Sequence, residues 1–174
     1  SVAPRWLDPH HDMVMACAEA HASVFLEKPM ARTPAEADAM LAACERAHVK
    51  LAIAHQVRLS PIVADVRDRI GRGEIGQLLE MRGRGKEDRR AGGEDLMVLG
   101  THVFDLMRLF AGDPQWCMAH VGVGDRDAGP GDTREGAEGM GWMAGDRLTA
   151  VYGFPNRVYG SFASQRNDDE SGVR

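Results

Sequence analysis

Ala22-Ser23-Val24-Phe25-Leu26-Glu27-Lys28-Pro29 is the stretch that decides the fold. An apolar run reads as a short buried strand, and it ends in a lysine followed by a proline. In open α/β sheets, ligands bind in the crevice outside the carboxyl ends of the strands. A lysine delivered there is a compact cation with rotatable donors, suited to holding a substrate oxygen, and the proline removes a backbone donor and stiffens the exit. Lys28 also fits a solvated strand-end lysine, so the tripeptide takes its meaning from its flanks.

On the near side, Asp12 to Ala20 carries Met and Ala at helical spacing ahead of a strand predicted over 23–26. On the far side, Thr33 stands before Pro34 as an N-cap stands before a proline at the first helical position, predicting a helix to about Ala47. Ala37, Met40, Leu41, Cys44 and Ala47 are expected on its buried face. Val49 to Ala54 is a second apolar strand, closing at His55-Gln56. Strand, helix and strand in so short a span make a βαβ unit with parallel strands and a right-handed crossover.

After Ser60-Pro61 the pattern changes. Pro61 to Ile70 reads as a helix with Ile62, Val63, Val66 and Ile70 on one side, and Gln77 to Lys86 reads as a strand. Glu94 to Phe110 is the longest helical segment, with Leu96, Leu99, Val103, Leu106 and Leu109 or Phe110 toward a core and Gly112 as its stop. A strand over 115–122 follows, then a Gly- and Asp-rich stretch from Gly124 to Gly141 expected to be an exposed loop. Met143 to Ala150 and Val151 to Phe162 read as antiparallel strands, with Ala144-Gly145-Asp146 and Pro155-Asn156 as turns. The expected architecture is α/β: over 1–59 the C-terminal half of a Rossmann-type parallel sheet, and over 60–174 an α+β domain with a mostly antiparallel open sheet.

Bulk properties narrow the function classes. A chain of 174 residues, 44% hydrophobic and 27% charged, has the composition of an ordinary globular protein. Its net charge of -5 argues against nucleic-acid binding, and the cluster Arg82, Arg84, Lys86, Arg89 and Arg90 runs among the acidic Glu87 and Asp88. Cys17, Cys44 and Cys117 show no paired spacing, which fits reduced thiols in a cytoplasmic protein. No run reaches the length of a membrane-spanning helix. His10-His11-Asp12 lacks partners at metal-ligand spacing, so no metal is expected.

Gly71-Arg72-Gly73-Glu74-Ile75-Gly76 satisfies GxGxxG by letter, yet it follows a helix and precedes a strand. The dinucleotide fingerprint needs the reverse order, because its glycine turn must open a helix whose amides face a pyrophosphate. The segment therefore reads as a helix stop. A dinucleotide fold begins with a strand, the true glycine loop and a later acidic residue for the ribose. The chain opens on Ser1-Val2-Ala3-Pro4, which reads as the end of a later strand, so the first half of that fold is expected to be absent.

Ala3-Pro4, His11, Glu27-Lys28-Pro29, His55-Gln56-Val57-Arg58, Gly73-Glu74-Ile75-Gly76, and Gly100-Thr101-His102 with Asp105 fall in the order of the glucose-fructose oxidoreductase and inositol dehydrogenase family, Gfo/Idh/MocA. The chain resembles that family over almost its whole length. The resemblance implies an oxidoreductase that uses NAD or NADP, acts on a sugar or cyclic polyol, and assembles as a homo-oligomer through its open sheet. It also implies that further strands follow the segment matched at the end of the chain. By the same resemblance Lys28 lies near the nicotinamide and the reacting carbon, and His102 accepts the substrate hydroxyl proton, a task that suits imidazole near neutral pH. Pro4, Arg5, Trp6, His11, Glu27, Lys28 and Pro29 would line the cofactor crevice, while Lys28, Arg58, His102 and Asp105 would contact substrate. Local packing for Trp6, a structural bond for Arg58 and a local pair for Asp105 remain open alternatives.

One position departs from the family pattern. Val98 stands one helical turn before His102, where the family usually carries an aspartate, and Glu94 or Asp95 are the nearest carboxylates to stand in for it. Three readings follow. The first is a dehydrogenase in which Lys28 and His102 converge on a shared cleft. The second is a noncatalytic sensor or regulatory homologue that keeps the fold. The third is an oligomerisation module.

Overall fold

The computed structural model describes residues 6–86, 88 and 90–166. The backbone divides into two compact units, one running to Ala54 and including Glu135–Trp142, the other made of His55–Arg134 and the residues from Met143 onward.

In the first unit, helix α1 (His10–Glu19) leads to strand β1 (Val24–Leu26), helix α2 (Pro34–Arg46) and strand β2 (Leu51–Ile53). β1 and β2 pair in parallel, Val24 opposite Leu51 and Leu26 opposite Ile53. α2 starts where the sequence places it: Glu36 N donates to Thr33 Oγ1 at 3.2 Å, and Pro34 fills the first turn. Arg32 closes on Glu36 at 2.8 Å and holds its carboxyl below the usual carboxylate range. The core joins Val14 and Ala18 of α1, Val24 and Leu26 of β1, and Met40, Ala43 and Cys44 of α2. Leu41, expected on that face, is 52% exposed. Each helical residue turns the next by about 100°, so the seam through Met40 and Cys44 takes in Ala43 and leaves Leu41 off to the side.

Chain from the later sequence completes this unit. Leu7 N donates to Glu138 O at 2.9 Å, and Met140 is buried. The expected exposed loop over Gly124–Gly141 therefore needs correction. It contains strand β5 (Arg126–Asp127) and strand β6 (Thr133–Glu135) and contributes a core side chain. What orders it is local: Asp132 accepts from Arg126 Nη2 at 2.6 Å and from Gly129 N at 2.6 Å.

The second unit opens with a 3₁₀ turn (Gln56–Leu59) and helix α3 (Pro61–Gly71), then strand β3 (Glu80–Arg84). Its long helix is built of three pieces: a turn α4 (Gly93–Asp95), a π turn (Leu96–Gly100) and α5 (Thr101–Ala111), stopped by Gly112 at φ 83°. β4 (Trp116–Val123), β7 (Trp142–Ala144), β8 (Arg147–Gly153) and β9 (Tyr159–Gln165) follow, and β6 and β7 pair as a small separate sheet. The main sheet has the order β3-β9-β8-β4-β5, with β3 parallel to β9 and the other pairs antiparallel.

α5 lies on one face of this sheet. Met107 packs with Phe154 and Val158, while Phe104 stacks edgewise on Tyr152 at 5.1 Å and beside Phe162 at 5.3 Å. The residue facing the core is Met107 rather than the expected Leu106, since the helical face through Val103 and Phe104 takes in Met107 and leaves Leu106 to the side. The opposite sheet face is open, with Trp116, Met118 and Tyr159 about half exposed or more. On the apolar side of α3, Ile62 is 75% exposed and Val66 40%, while Val63 and Ile70 are partly buried. The β8–β9 turn is Pro155–Arg157, at the expected Pro155-Asn156, and it divides the stretch read over Val151–Phe162 into the end of β8 and the start of β9.

Candidate functional site

In the first unit the chemistry gathers at the carboxyl end of β1. Ala54 N donates to Leu26 O at 2.8 Å, fastening the last residue of β1 to the chain just past β2. Lys28 N then donates to Glu27 Oε2 at 3.1 Å, and the Lys28–Pro29 peptide is cis. Lys28 is half-buried and Pro29 buried. Behind the turn stands His10, fully buried in the first turn of α1, with Nδ1 3.0 Å from Pro29 O.

His10 is the residue that sequence reading missed here, since its neighbour His11 had been matched to the crevice. His11 instead pairs with the exposed Asp12 at 2.9 Å. Helical rotation separates adjacent residues, so only one of two consecutive histidines faces the turn. The signal available in the sequence was register: His10, Val14 and Ala18 recur at helical spacing, and all three are buried. Trp6 is 58% exposed, and Pro4 and Arg5 lie outside the described residues.

In the second unit the 3₁₀ turn meets α5 in two rungs. The rings of His55 and His102 stand edge to face, 5.5 Å apart at 86°, and Arg58 Nη1 donates to Asp105 Oδ1 at 2.9 Å. Arg58 N donates back to His55 O at 3.3 Å across the turn, and residues three apart are neighbours on an α-helix. Hence His55 and Arg58 match His102 and Asp105 step for step. Asp105, expected to contact substrate or to make a local pair, takes Arg58. Its side chain is 11% exposed against 43% for the arginine, which makes a half-buried ion pair.

The carboxylates near Val98 are engaged elsewhere. Val98 is buried, Glu94 pairs with Arg134 at 2.7 Å, and Asp95 accepts from Ser164 Oγ at 2.8 Å, whose oxygen in turn accepts from Gly92 N. The GxGxxG letters fall at the end of α3 and the loop before β3, with Gly73 and Gly76 at positive φ, so they open no helix.

Residues 2–55 match the oxidoreductase family with the NAD-binding Rossmann fold, Gfo/Idh/MocA. All but the last residue of the match falls within the first unit of the chain. Among relatives, levoglucosan dehydrogenase of Pseudarthrobacter phenanthrenivorans is 27% identical over 91% of this chain, and D-apiose dehydrogenase of Paraburkholderia graminis is 33% identical over 60% of it. The chain spans about half the length of the first, 47%, and 30% of the second. Among solved structures of the fold, levoglucosan dehydrogenase in complex with NADH and levoglucosan superposes with a TM-score of 0.76 at 25% identity, covering 97% of this chain and 48% of that one. An NAD-binding oxidoreductase from Klebsiella pneumoniae shares the fold with a TM-score of 0.74 at 21% identity, over 98% and 49% of the two chains.

Proposed function

We propose that this protein is an NAD- or NADP-dependent oxidoreductase that moves hydride between a nicotinamide and a hydroxyl-bearing carbon of a sugar, cyclic polyol or related small molecule. The observation that carries the reading is Lys28, half-buried where parallel strands β1 and β2 end together, within the segment matched to the NAD-binding family. Such a strand end suits a nicotinamide, and Trp6, Glu27, Lys28 and Pro29 would line it, with Pro4, Arg5 and His11 as further candidates. The bound cofactor supplies the hydride acceptor. Lys28 holds the substrate oxygen and offsets negative charge growing on it. His102, braced by the edge of His55, takes the hydroxyl proton, and the Arg58–Asp105 pair fixes the turn that carries His55. The two named relatives that act on sugars support this substrate class.

Turnover over a panel of sugars and cyclic polyols, with NAD and NADP in parallel, tests the assignment. Lys28→Ala and His102→Ala are each expected to lower kcat by ~100-fold or more with an unchanged circular dichroism spectrum. Wild-type turnover in both variants would remove the roles given to them.

Val98 supports a second reading, a noncatalytic homologue that binds cofactor, since a buried valine occupies the usual carboxylate position while Glu94 and Asp95 hold other partners. Cofactor binding by calorimetry with no turnover across the panel would select it. We further propose that the protein forms a homo-oligomer through the open sheet face bearing Trp116, Met118 and Tyr159, which sedimentation tests, and that it works in the cytoplasm, in keeping with cysteines that form no disulfide with one another.

A further inference from the structure

The geometry points to His10 as the positioning residue for Lys28, and we propose that its buried imidazole sets the path of the Glu27-Lys28-Pro29 turn. A carbonyl oxygen can only accept, so at 3.0 Å from Pro29 O the Nδ1 of His10 carries the proton and donates. Burying an imidazole at 0% exposure costs free energy that a hydrogen bond must offset. An apolar side chain would fill the same space without that cost; what it would not do is fix the peptide next to Lys28.

Three supports converge on this turn: Leu26 O is held by Ala54 N, Lys28 N by Glu27 Oε2, and Pro29 O by His10. The last of these three comes from α1, and it lies on the exit side of the lysine. A shift of ~1 Å at the base of Lys28 is carried to its amine, and misplacement of that size costs up to ~100-fold in rate.

This inference rests on the substrate-holding role proposed for Lys28, so its test reads that lysine without cofactor or turnover. The chain has three lysines, Lys28, Lys50 and Lys86. Reductive methylation with a carbon-13 label gives each its own NMR signal, assigned by Lys→Arg variants. In His10→Leu the Lys28 signal and its titration are expected to move while those of Lys50 and Lys86 stay. His10→Asn, whose amide nitrogen stands where Nδ1 stood, is expected to restore them. In turnover assays His10→Leu is expected to lower kcat by ~10-fold or more with a smaller change in KM, again rescued by His10→Asn. An unmoved Lys28 signal in folded His10→Leu overturns the proposal. Should that variant fail to fold, His10→Gln, whose donor lies one bond further out, makes the same comparison, and a wild-type Lys28 signal in it is equally fatal. A Lys28 signal that moves as expected, in a protein that neither binds nor turns over nicotinamide, would uphold the positioning and remove the functional reading alone.

Discussion

Glu94 and Asp95 are adjacent carboxylates, 2% and 1% exposed, and they take different partners from distant parts of the chain. Arg134 reaches Glu94 from strand β6, and Ser164 reaches Asp95 from β9. In the sequence they were the stand-ins for the carboxylate absent at position 98, because spacing along a helix is all that a sequence shows. Arg134 has a second buried nitrogen, Nη2, without a hydrogen-bond partner, so removing the charge of Glu94 strands a cation that water reaches only in part. Glu94→Gln is therefore expected to destabilise the second unit by about 2 kcal/mol, visible as a thermal midpoint lower by about 5 °C. The Lys28 turn was legible for the opposite reason: an apolar run ending in lysine and proline is a local pattern. His10, which backs it, was not, because two adjacent histidines differ only in the direction each points.

At the scale of elements, α2 and α3 lie close to where their caps and prolines put them, and Gly112 ends α5 as expected. The π turn at Leu96–Gly100 was hidden, since it changes the hydrogen-bond count without changing the composition. Gly83 of β3 lies beneath α5. A Cβ there would clash with Val103 Cγ1, so the valine or the helix that carries it must shift. Gly83→Ala is expected to cost about 1–3 kcal/mol in denaturant unfolding, whereas Gly124→Ala, with nothing near its added carbon, feels only its positive φ. A Gly83→Ala variant as stable as wild type would show that α5 yields freely.

For the molecule as a whole, Tyr152 provides a pH signature. Burial is the main cause pushing its phenol up to about 12, above the ordinary phenol value near 10.0, with Cys117 adding to it. The folded state then keeps a proton that the unfolded chain gives up, so stability is full below about pH 10 and falls as pH rises toward 12. Phenolate absorbance in a Tyr159→Phe background, leaving Tyr152 as the one tyrosine, is expected to rise near pH 12 together with loss of the folded signal. A phenolate that appears near 10 while the protein stays folded would contradict the buried position. The sequence by itself determined the helix and strand alternation of the first unit, the lysine at the end of β1 and the antiparallel turns of the second, because caps, prolines and hydrophobic periods act over a few residues. Tertiary structure alone decided that Glu135–Trp142 joins the first unit, that β3 pairs in parallel with β9, and that His55 meets His102 while Arg58 meets Asp105. Those pairings join residues tens of positions apart, and their energies exist only once packing has brought the partners together.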